Sequence, residues 1–153
     1  MKQMNLPKMC TVKPPKLKSS TQEIGICTNL LAQQLNQPAP NLVWVCDFTY
    51  VRVGARFCYL CVILDLDARK VIACRVGKRM DRFLAIDILR DAVRLRGVSK
   101  GVMFHTDRGS PFTSSDFRKE IDSFHMIQSF SAKGHPYDNA VMECFFKYLN
   151  KEE

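Results

Sequence analysis

The sequence predicts one α/β domain built on a five-stranded mixed sheet, in which an antiparallel three-strand meander joins two parallel strands, with helices flanking the sheet. Three runs rich in β-branched and aromatic residues follow one another between residues 42 and 77, joined by short turns. After them, helical and strand-like segments alternate, and such crossovers place the later strands parallel to the first. The 153 residues, 46% of them hydrophobic, are enough to bury one core.

The N-terminal part of the chain has a different composition. Residues 1–20 carry five lysines and no acidic residue, together with three prolines, and this favours a flexible arm over a folded element. Residues 21–36 are compatible with a short helix, which the proline-containing linker QPAPN at 37–41 cannot continue. We therefore expect a basic flexible arm and linker over 1–40 and the folded core over 41–153.

The meander is predicted from the composition of its strands and from the turn-forming residues between them. LVWVCDFTYV (42–51) is the first strand, FCYLCVILDL (57–66) the second and VIACRVG (71–77) the third. Gly54 interrupts the pattern between the first two strands, and DLDARK at 65–70 has the polar composition of a turn. Tight turns of this kind connect antiparallel neighbours.

The remaining elements follow a helix and strand alternation. In DRFLAIDILRDAVRLRG (81–97) the apolar residues recur near the helical period, Asp81 can cap the start and Gly97 can end the helix. The other predicted elements are a fourth strand at 101–105, a helix at 113–124, a fifth strand at 126–130 and a last helix from Ala140, capped by Asp138 or Asn139.

Charge and cysteine content narrow the class of protein. The net charge of +8 favours a polyanionic partner, either nucleic acid or an acidic membrane surface. The longest apolar run, 57–64, is too short to cross a bilayer, and the start of the chain lacks the apolar region of a secretory signal. The seven cysteines lie mostly inside apolar runs, which predicts buried thiols in a reducing compartment, the cytoplasm, and not a disulfide framework.

Two aspartates stand at unusual positions. Asp47 lies inside the first strand among apolar and aromatic residues, and Asp107 directly follows the fourth. Functional groups gather at the carboxyl ends of parallel strands, so the two carboxylates are expected to converge there if the strands are adjacent. Buried carboxylates need a base, a hydrogen-bond network or a metal, and Mg²⁺ or Mn²⁺ prefers such oxygen ligands. Glu143, in the first turn of the last helix, is the candidate third acid. The alternative is a structural one, with the aspartates capping strand ends or forming internal ion pairs.

Three blocks containing these acids carry a family resemblance. NLVWVCDFTYV holds Asp47, HTDRGSPFTS holds Asp107, KGHPYDNAVMECFF holds Glu143, and thirty-five residues separate the last two acids. Over about residues 28–150 the chain resembles the integrase core of the DDE transposases of insertion sequences, which is similar to retroviral integrase catalytic domains. The resemblance implies an RNase H-like fold in which Asp47, Asp107 and Glu143 bind two divalent ions, Mg²⁺ or Mn²⁺.

The same resemblance implies a reaction and its partners. Water would nick double-stranded DNA at a transposon end, and the freed 3′-hydroxyl would join that end to target DNA, both by in-line phosphoryl transfer. Relatives work as multimers, so a homo-oligomer is expected, associated with the bacterial nucleoid when bound to DNA. No membrane partner is expected, and no zinc, because the three histidines lack the paired spacing of a zinc site.

Four residues are candidate nucleic-acid contacts. Asn139 and Lys147 recur on the helix face of Glu143, where related integrases contact DNA, although Lys147 can equally form an ordinary i,i+4 pair with Glu143. Lys133 lies in the preceding loop, and His105 shares a strand face with Asp107.

Two alternatives to a transposase catalytic core stay open. Relatives continue beyond the last helix and usually carry a separate helix-turn-helix for end recognition, so the core is expected to be truncated at its C-terminal end. A non-catalytic DNA-binding or oligomerisation remnant would fit that expectation. A structure-selective nuclease of the same fold would need no strand transfer. Retention of all three acids favours catalysis over the remnant.

Overall fold

A computed structural model of the protein describes residues 29–97, 100–132 and 139–151. Its elements in chain order are β1 Val43–Val53, β2 Arg56–Asp65, β3 Lys70–Gly77, α1 Arg82–Arg96, β4 Met103–Thr106, α2 Ser110–Thr113, α3 Ser115–Ser123, β5 Ile127–Phe130 and α4 Ala140–Leu149. None of the helices in these ranges has the length and apolar character needed to cross a bilayer.

The strands form a single sheet in the order β3-β2-β1-β4-β5. β1 pairs antiparallel with β2, and β2 with β3, whereas β1 pairs parallel with β4 and β4 with β5. The predicted five-stranded mixed sheet, a meander plus two parallel strands, is therefore confirmed. β1 is the longest strand and pairs with β4 only over its first residues, Val43–Val45. Its remaining length runs past the end of β4.

Alternating side chains of the central strands divide the core between the two faces of the sheet. Trp44 and Cys46 belong to a cluster that includes apolar residues of α1, α2 and α3. Val43 and Val45 belong to a second cluster, which includes Met142 of α4. Because side chains two apart in a strand share a face, Asp47 projects on the α4 side.

The first helix begins and ends where the sequence predicts. The Asp81 carboxylate accepts a hydrogen bond from the backbone N–H of Leu84 at 3.0 Å, and Gly97 adopts the left-handed conformation with φ 65°. Gly97 also donates its N–H to the carbonyl of Val93, which satisfies one of the last helical carbonyls.

The predicted helix over 113–124 is observed as α3 Ser115–Ser123, and the short helix α2 Ser110–Thr113, which was not predicted, precedes it. Ser114 is extended, with ψ 147°, and its hydroxyl caps α3 by accepting from the N–H of Phe117. Pro111 sits in the first turn of the short α2, a position where its missing N–H does no harm. Ser114 therefore separates α2 from α3. The sequence pattern predicts only the start of the second of these helices.

Upstream of β1 the prediction was wrong for the part that can be compared. Residues 29–36 of the predicted helix 21–36 form a turn, with Ala32 and Gln33 at φ 46° and 62°, and 21–28 lie outside the described residues. Leu31 is buried in the α4-side cluster. The packing of Leu31 and the hydrogen bonds of Leu30 and Leu31 to Ser129, and not helical periodicity, hold the segment to the sheet.

The cysteine prediction holds for two of the residues it concerns. Cys46 and Cys61 are buried, with their sulfur atoms 3.6 Å apart, and burial raises the pKa of the Cys46 thiol well above its ordinary value. Cys58 is only half-buried and Cys74 is exposed, so the expectation was wrong for Cys74. It lies on β3, an edge strand whose outer side chains face solvent.

Candidate functional site

The parallel pairing of β1 and β4 brings two acidic residues to the same place. Val45 is opposite His105 in the register. Asp47 and Asp107 each follow two residues later, and both are carried past the last paired position on the same side of the sheet. They lie close enough for the negative charge of Asp107 to raise the pKa of Asp47. The predicted convergence of these two carboxylates is what the backbone topology produces.

Both oxygens of the Asp47 carboxylate are held by hydrogen-bond donors. The backbone N–H of Phe48 donates to Oδ1 at 2.7 Å, and the side-chain Nδ2 of Asn139 donates to Oδ2, also at 2.7 Å. Burial is the largest influence on this group and raises its pKa to about 7, with the charges of Asp107 and, more weakly, Glu143 acting in the same direction. The two donors lower it, but they do not offset burial.

Asp107 is more open than Asp47. It is exposed on one side, while the protein packed around the rest of the carboxyl raises its pKa above the ordinary value. The backbone N–H of Gly109 donates to Oδ1 at 2.9 Å and acts in the opposite direction. A Cβ at position 109 would lie 2.9 Å from that same oxygen, closer than any ordinary contact. A larger residue at position 109 would therefore have to displace the Asp107 carboxylate from this position.

Glu143, the third predicted acid, is less closely associated with the two aspartates. It lies in the first turn of α4 and is exposed. Its charge raises the pKa of Asp47, but less than the charge of Asp107 does. Within residues 29–97, 100–132 and 139–151, no three His, Cys, Asp or Glu side chains form a group that could hold a metal ion. The structure thus brings the two aspartates together, with Glu143 further away.

The chemistry of the aspartate pair fits a divalent cation with oxygen ligands. Two carboxylates that resist ionisation because of burial and mutual repulsion are stabilised when a cation shares them. The Oδ1 atom of Asn139, beside them, is buried and has no hydrogen-bond partner among the described residues. A buried acceptor of this kind needs a donor, such as an ordered water.

The predicted nucleic-acid contacts occupy different environments. Lys147 is exposed on α4, one turn from Glu143, and Lys133 lies outside the described residues. Asn139 is half-buried with its amide on Asp47. None of these positions tests a contact with DNA, which stays a prediction for each of them.

His105 faces inward. It is fully buried, and its Nδ1 and Nε2 lie 2.9 and 3.1 Å from the hydroxyls of Ser129 and Ser131. The hydroxyl oxygen of Ser129 also accepts from the backbone N–H groups of Leu30 and Leu31, at 3.0 and 3.2 Å. In this conformation the ring links β4 to β5 and to the segment before β1, so the geometry lends its predicted DNA contact no support.

Sequence reasoning missed the roles of two residues that shape the site. The pattern did not single out Gly109, and it predicted Asn139 only as a helix cap or a DNA contact. A signal for Asn139 was present, because it lies four residues before Glu143 and so shares its helix face.

Comparison with known proteins identifies the family and several relatives of this chain. Residues 37–136 match the integrase core domain family. The chain is 39% identical over 129 residues to the transposase InsF of insertion sequence IS3A from Escherichia coli K12, covering 84% of this chain and 45% of that protein. It is 37% identical over 124 residues to the transposase of element IS904 from Lactococcus lactis, covering 81% and 49%. The chain therefore spans about half the length of these curated relatives.

Solved structures share the fold. A chain of the simian T-cell lymphotropic virus intasome in complex with PP2A regulatory subunit B56 gamma superposes with a TM-score of 0.66 at 20% identity, covering 76% of this chain and 41% of that one. The HTLV-2 integrase catalytic core in complex with magnesium, in its dimeric form, gives a TM-score of 0.53 at 25% identity, covering 60% and 61%. The trimeric form of the same core gives 0.56 at 23%, covering 74% and 72%.

Proposed function

The chain belongs to the integrase core domain family, and on that premise we propose that it is the catalytic core of an insertion-sequence transposase. Its fold is the RNase H-like fold of integrase catalytic cores, as the sequence predicts. The observation that carries the proposal is the pairing of Asp47 with Asp107 at the end of the parallel strands, where burial and the charge of Asp107 raise the pKa of Asp47. The reaction is cleavage at transposon DNA ends followed by strand transfer, both in-line phosphoryl transfers.

The residues that would hold the cations are Asp47, Asp107 and Glu143. When bound, two Mg²⁺ or Mn²⁺ ions would neutralise charge on the reacting phosphate and activate the attacking oxygen. The HTLV-2 integrase core was solved with magnesium, which supports this choice of metal. Glu143, exposed in the first turn of α4, would have to move closer to the aspartates to complete this ligand set.

The rest of the chain contributes position and charge. Asp47 is immobilised by its two donors, whereas Asp107 keeps an open side through which substrate can approach. Lys147 stands on the solvent side of α4, one turn beyond Glu143, where it would contact a DNA phosphate. In-line displacement forms no covalent enzyme intermediate, so catalysis depends on this positioning.

Adding Mn²⁺ is expected to stabilise the wild-type protein and not the Asp107→Asn variant. A ligand that binds only the folded state at a hundredfold above its Kd adds about 2.7 kcal/mol to the free energy of unfolding. Thermal unfolding followed by circular dichroism, with Mn²⁺ and then with EDTA, measures the shift. Asp67→Asn, an exposed acid in the β2–β3 turn, is the matched control and should respond like wild type. Equal shifts in all three proteins would refute a cation at the aspartate pair.

DNA binding is expected to weaken steeply with salt, because phosphate contacts release counterions. The slope of log K against log salt is about −0.9 per phosphate neutralised on duplex DNA. Lys147→Ala should reduce the slope by about one. Lys119→Ala, which removes an exposed lysine on α3, across the sheet from α4, should leave it unchanged. Fluorescence anisotropy on a labelled duplex between low and physiological salt gives both slopes, and an unchanged slope for Lys147→Ala would exclude that contact.

The proposal extends to assembly and location. The HTLV-2 core is described in dimeric and trimeric forms, and we expect this chain to act as a homo-oligomer on transposon ends and target DNA. The two transposases named above are bacterial, which supports a place in the bacterial cytoplasm and on the nucleoid. The division of the chain into an arm and linker over 1–40 and a core over 41–153 stays part of the proposal. The non-catalytic remnant and the structure-selective nuclease are the competing functions.

A further inference from the structure

Asn139 sits at the start of α4 but does not cap the helix. An asparagine at this position ordinarily uses its side-chain oxygen to accept a hydrogen bond from a backbone N–H of the first turn. Here no such bond forms. The side chain turns instead to β1, where Nδ2 donates to Oδ2 of Asp47 at 2.7 Å. The helix start gives up a stabilising contact that this residue type could make.

The orientation of the amide is fixed by its partner. When Asp47 is ionised it only accepts hydrogen bonds, so in that state the amide nitrogen faces Asp47 and the amide oxygen faces away. That oxygen is buried and has no partner among the described residues. An unpaired buried acceptor is costly, and a water molecule at the acidic cluster could supply the missing donor.

The contact joins two of the elements that carry the acids. The N–H of Phe48 holds one oxygen of Asp47 from within β1, and Asn139 holds the other from α4. Asn139 and Glu143 are four residues apart and share a helix face. The rotation of α4 that brings Asn139 onto Asp47 therefore also turns Glu143 toward the aspartates.

We propose that Asn139 is a positioning residue: its amide holds Asp47 against α4, which orients Glu143 toward the paired aspartates. The role deepens the proposed function and rests on it. It differs from a DNA contact, because the amide is directed at a carboxylate of the same chain.

Mn²⁺ affinity tests this role without any DNA substrate. Electron paramagnetic resonance of free Mn²⁺ gives the Kd of the wild type, Asn139→Ala, Asn139→Ser and the control Asn150→Ala. Loss of an outer contact to a metal ligand costs about 10- to 100-fold in affinity, and we expect that loss in both Asn139 variants. Serine favours helix starts, so Asn139→Ser preserves folding if alanine does not. Asn150, exposed at the other end of α4, should bind as wild type. Wild-type affinity in both Asn139 variants would overturn the proposal.

A metal-free measurement separates this inference from the proposed function. In EDTA near pH 8, Asn139→Ser is expected to lower the Tm of the wild type by more than it lowers the Tm of an Asp47→Ala background, because the partner of Asn139 is gone there. Equal lowering in both backgrounds would show that Asn139 acts without Asp47. If the wild type binds no Mn²⁺, the metal-dependent function fails, and this cycle alone still decides whether Asn139 holds Asp47.

Discussion

Asp107→Asn is expected to lower Mg²⁺-dependent nicking and joining of a DNA end by at least about a hundredfold, the upper range for loss of a mere supporting contact to a metal ligand. The substitution removes a negative charge from a pair whose shared charge would attract the cation. It keeps the shape of the side chain and an oxygen to accept from the N–H of Gly109. The loss should therefore fall on turnover and not on folding.

The assay uses a labelled duplex that ends in an insertion-sequence terminus, with Mg²⁺, Mn²⁺ or EDTA, and resolves nicked and joined strands on a denaturing gel. Asp67→Asn is the matched control and should retain wild-type turnover. Equal turnover by wild type and Asp107→Asn would exclude the proposed mechanism. DNA binding without cleavage by the wild type in either metal would support the non-catalytic alternative, and cleavage without joining would support the nuclease.

Much of the site could be predicted because it follows from strand periodicity. The apolar pattern around Asp47 marks a buried strand, and the crossovers make β4 parallel to it. Two residues beyond the last register pair then define where both aspartates lie. Helix ends could be predicted from local residue types in the same way: Asp81 caps the start of α1 and Gly97 ends it.

The rest depends on how elements dock, which local pattern does not encode. The contact between Asn139 and Asp47 joins residues 92 positions apart. It forms because α4 packs on the sheet face that carries Val43 and Val45. His105 was predicted to face DNA because it shares a strand face with Asp107. That face is covered at His105 by Ser129 and the segment at Leu31, whereas Asp107, just beyond the end of β4, is exposed.

Asp47→Asn is expected to make the metal-free protein more stable near pH 8 while removing its proposed activity. The folded state raises the pKa of Asp47 from 3.8 to about 7. Between those values the folded protein holds a proton that the unfolded chain has released, so the free energy of unfolding falls as pH rises. Ionising Asp47 lowers the free energy of unfolding by on the order of 4 kcal/mol, at 1.36 kcal/mol per pKa unit. This decrease is complete above about pH 7 and has not begun below about pH 4. Asparagine is neutral throughout and avoids it.

The gain should be smaller than the full penalty, because asparagine offers one acceptor where Asp47 offers two to Phe48 and Asn139. Losing one such bond costs about 1 kcal/mol, which leaves a net gain of roughly 2 to 3 kcal/mol near pH 8. Urea unfolding in EDTA at three pH values, with Asp67→Asn as control, measures it. Parallel pH curves for wild type and Asp47→Asn would show that Asp47 carries no such penalty.

A bound cation should produce a similar stabilisation by a different route. Mn²⁺ offsets the repulsion between Asp47 and Asp107 and leaves both ionised, so the wild type in saturating Mn²⁺ should lose much of its decline in stability between about pH 4 and pH 7. Asp47→Asn, already without that decline, should gain little from the metal. The repulsion that destabilises the metal-free site thus also favours cation binding. A substitution that removes this repulsion therefore removes the affinity for the cation as well.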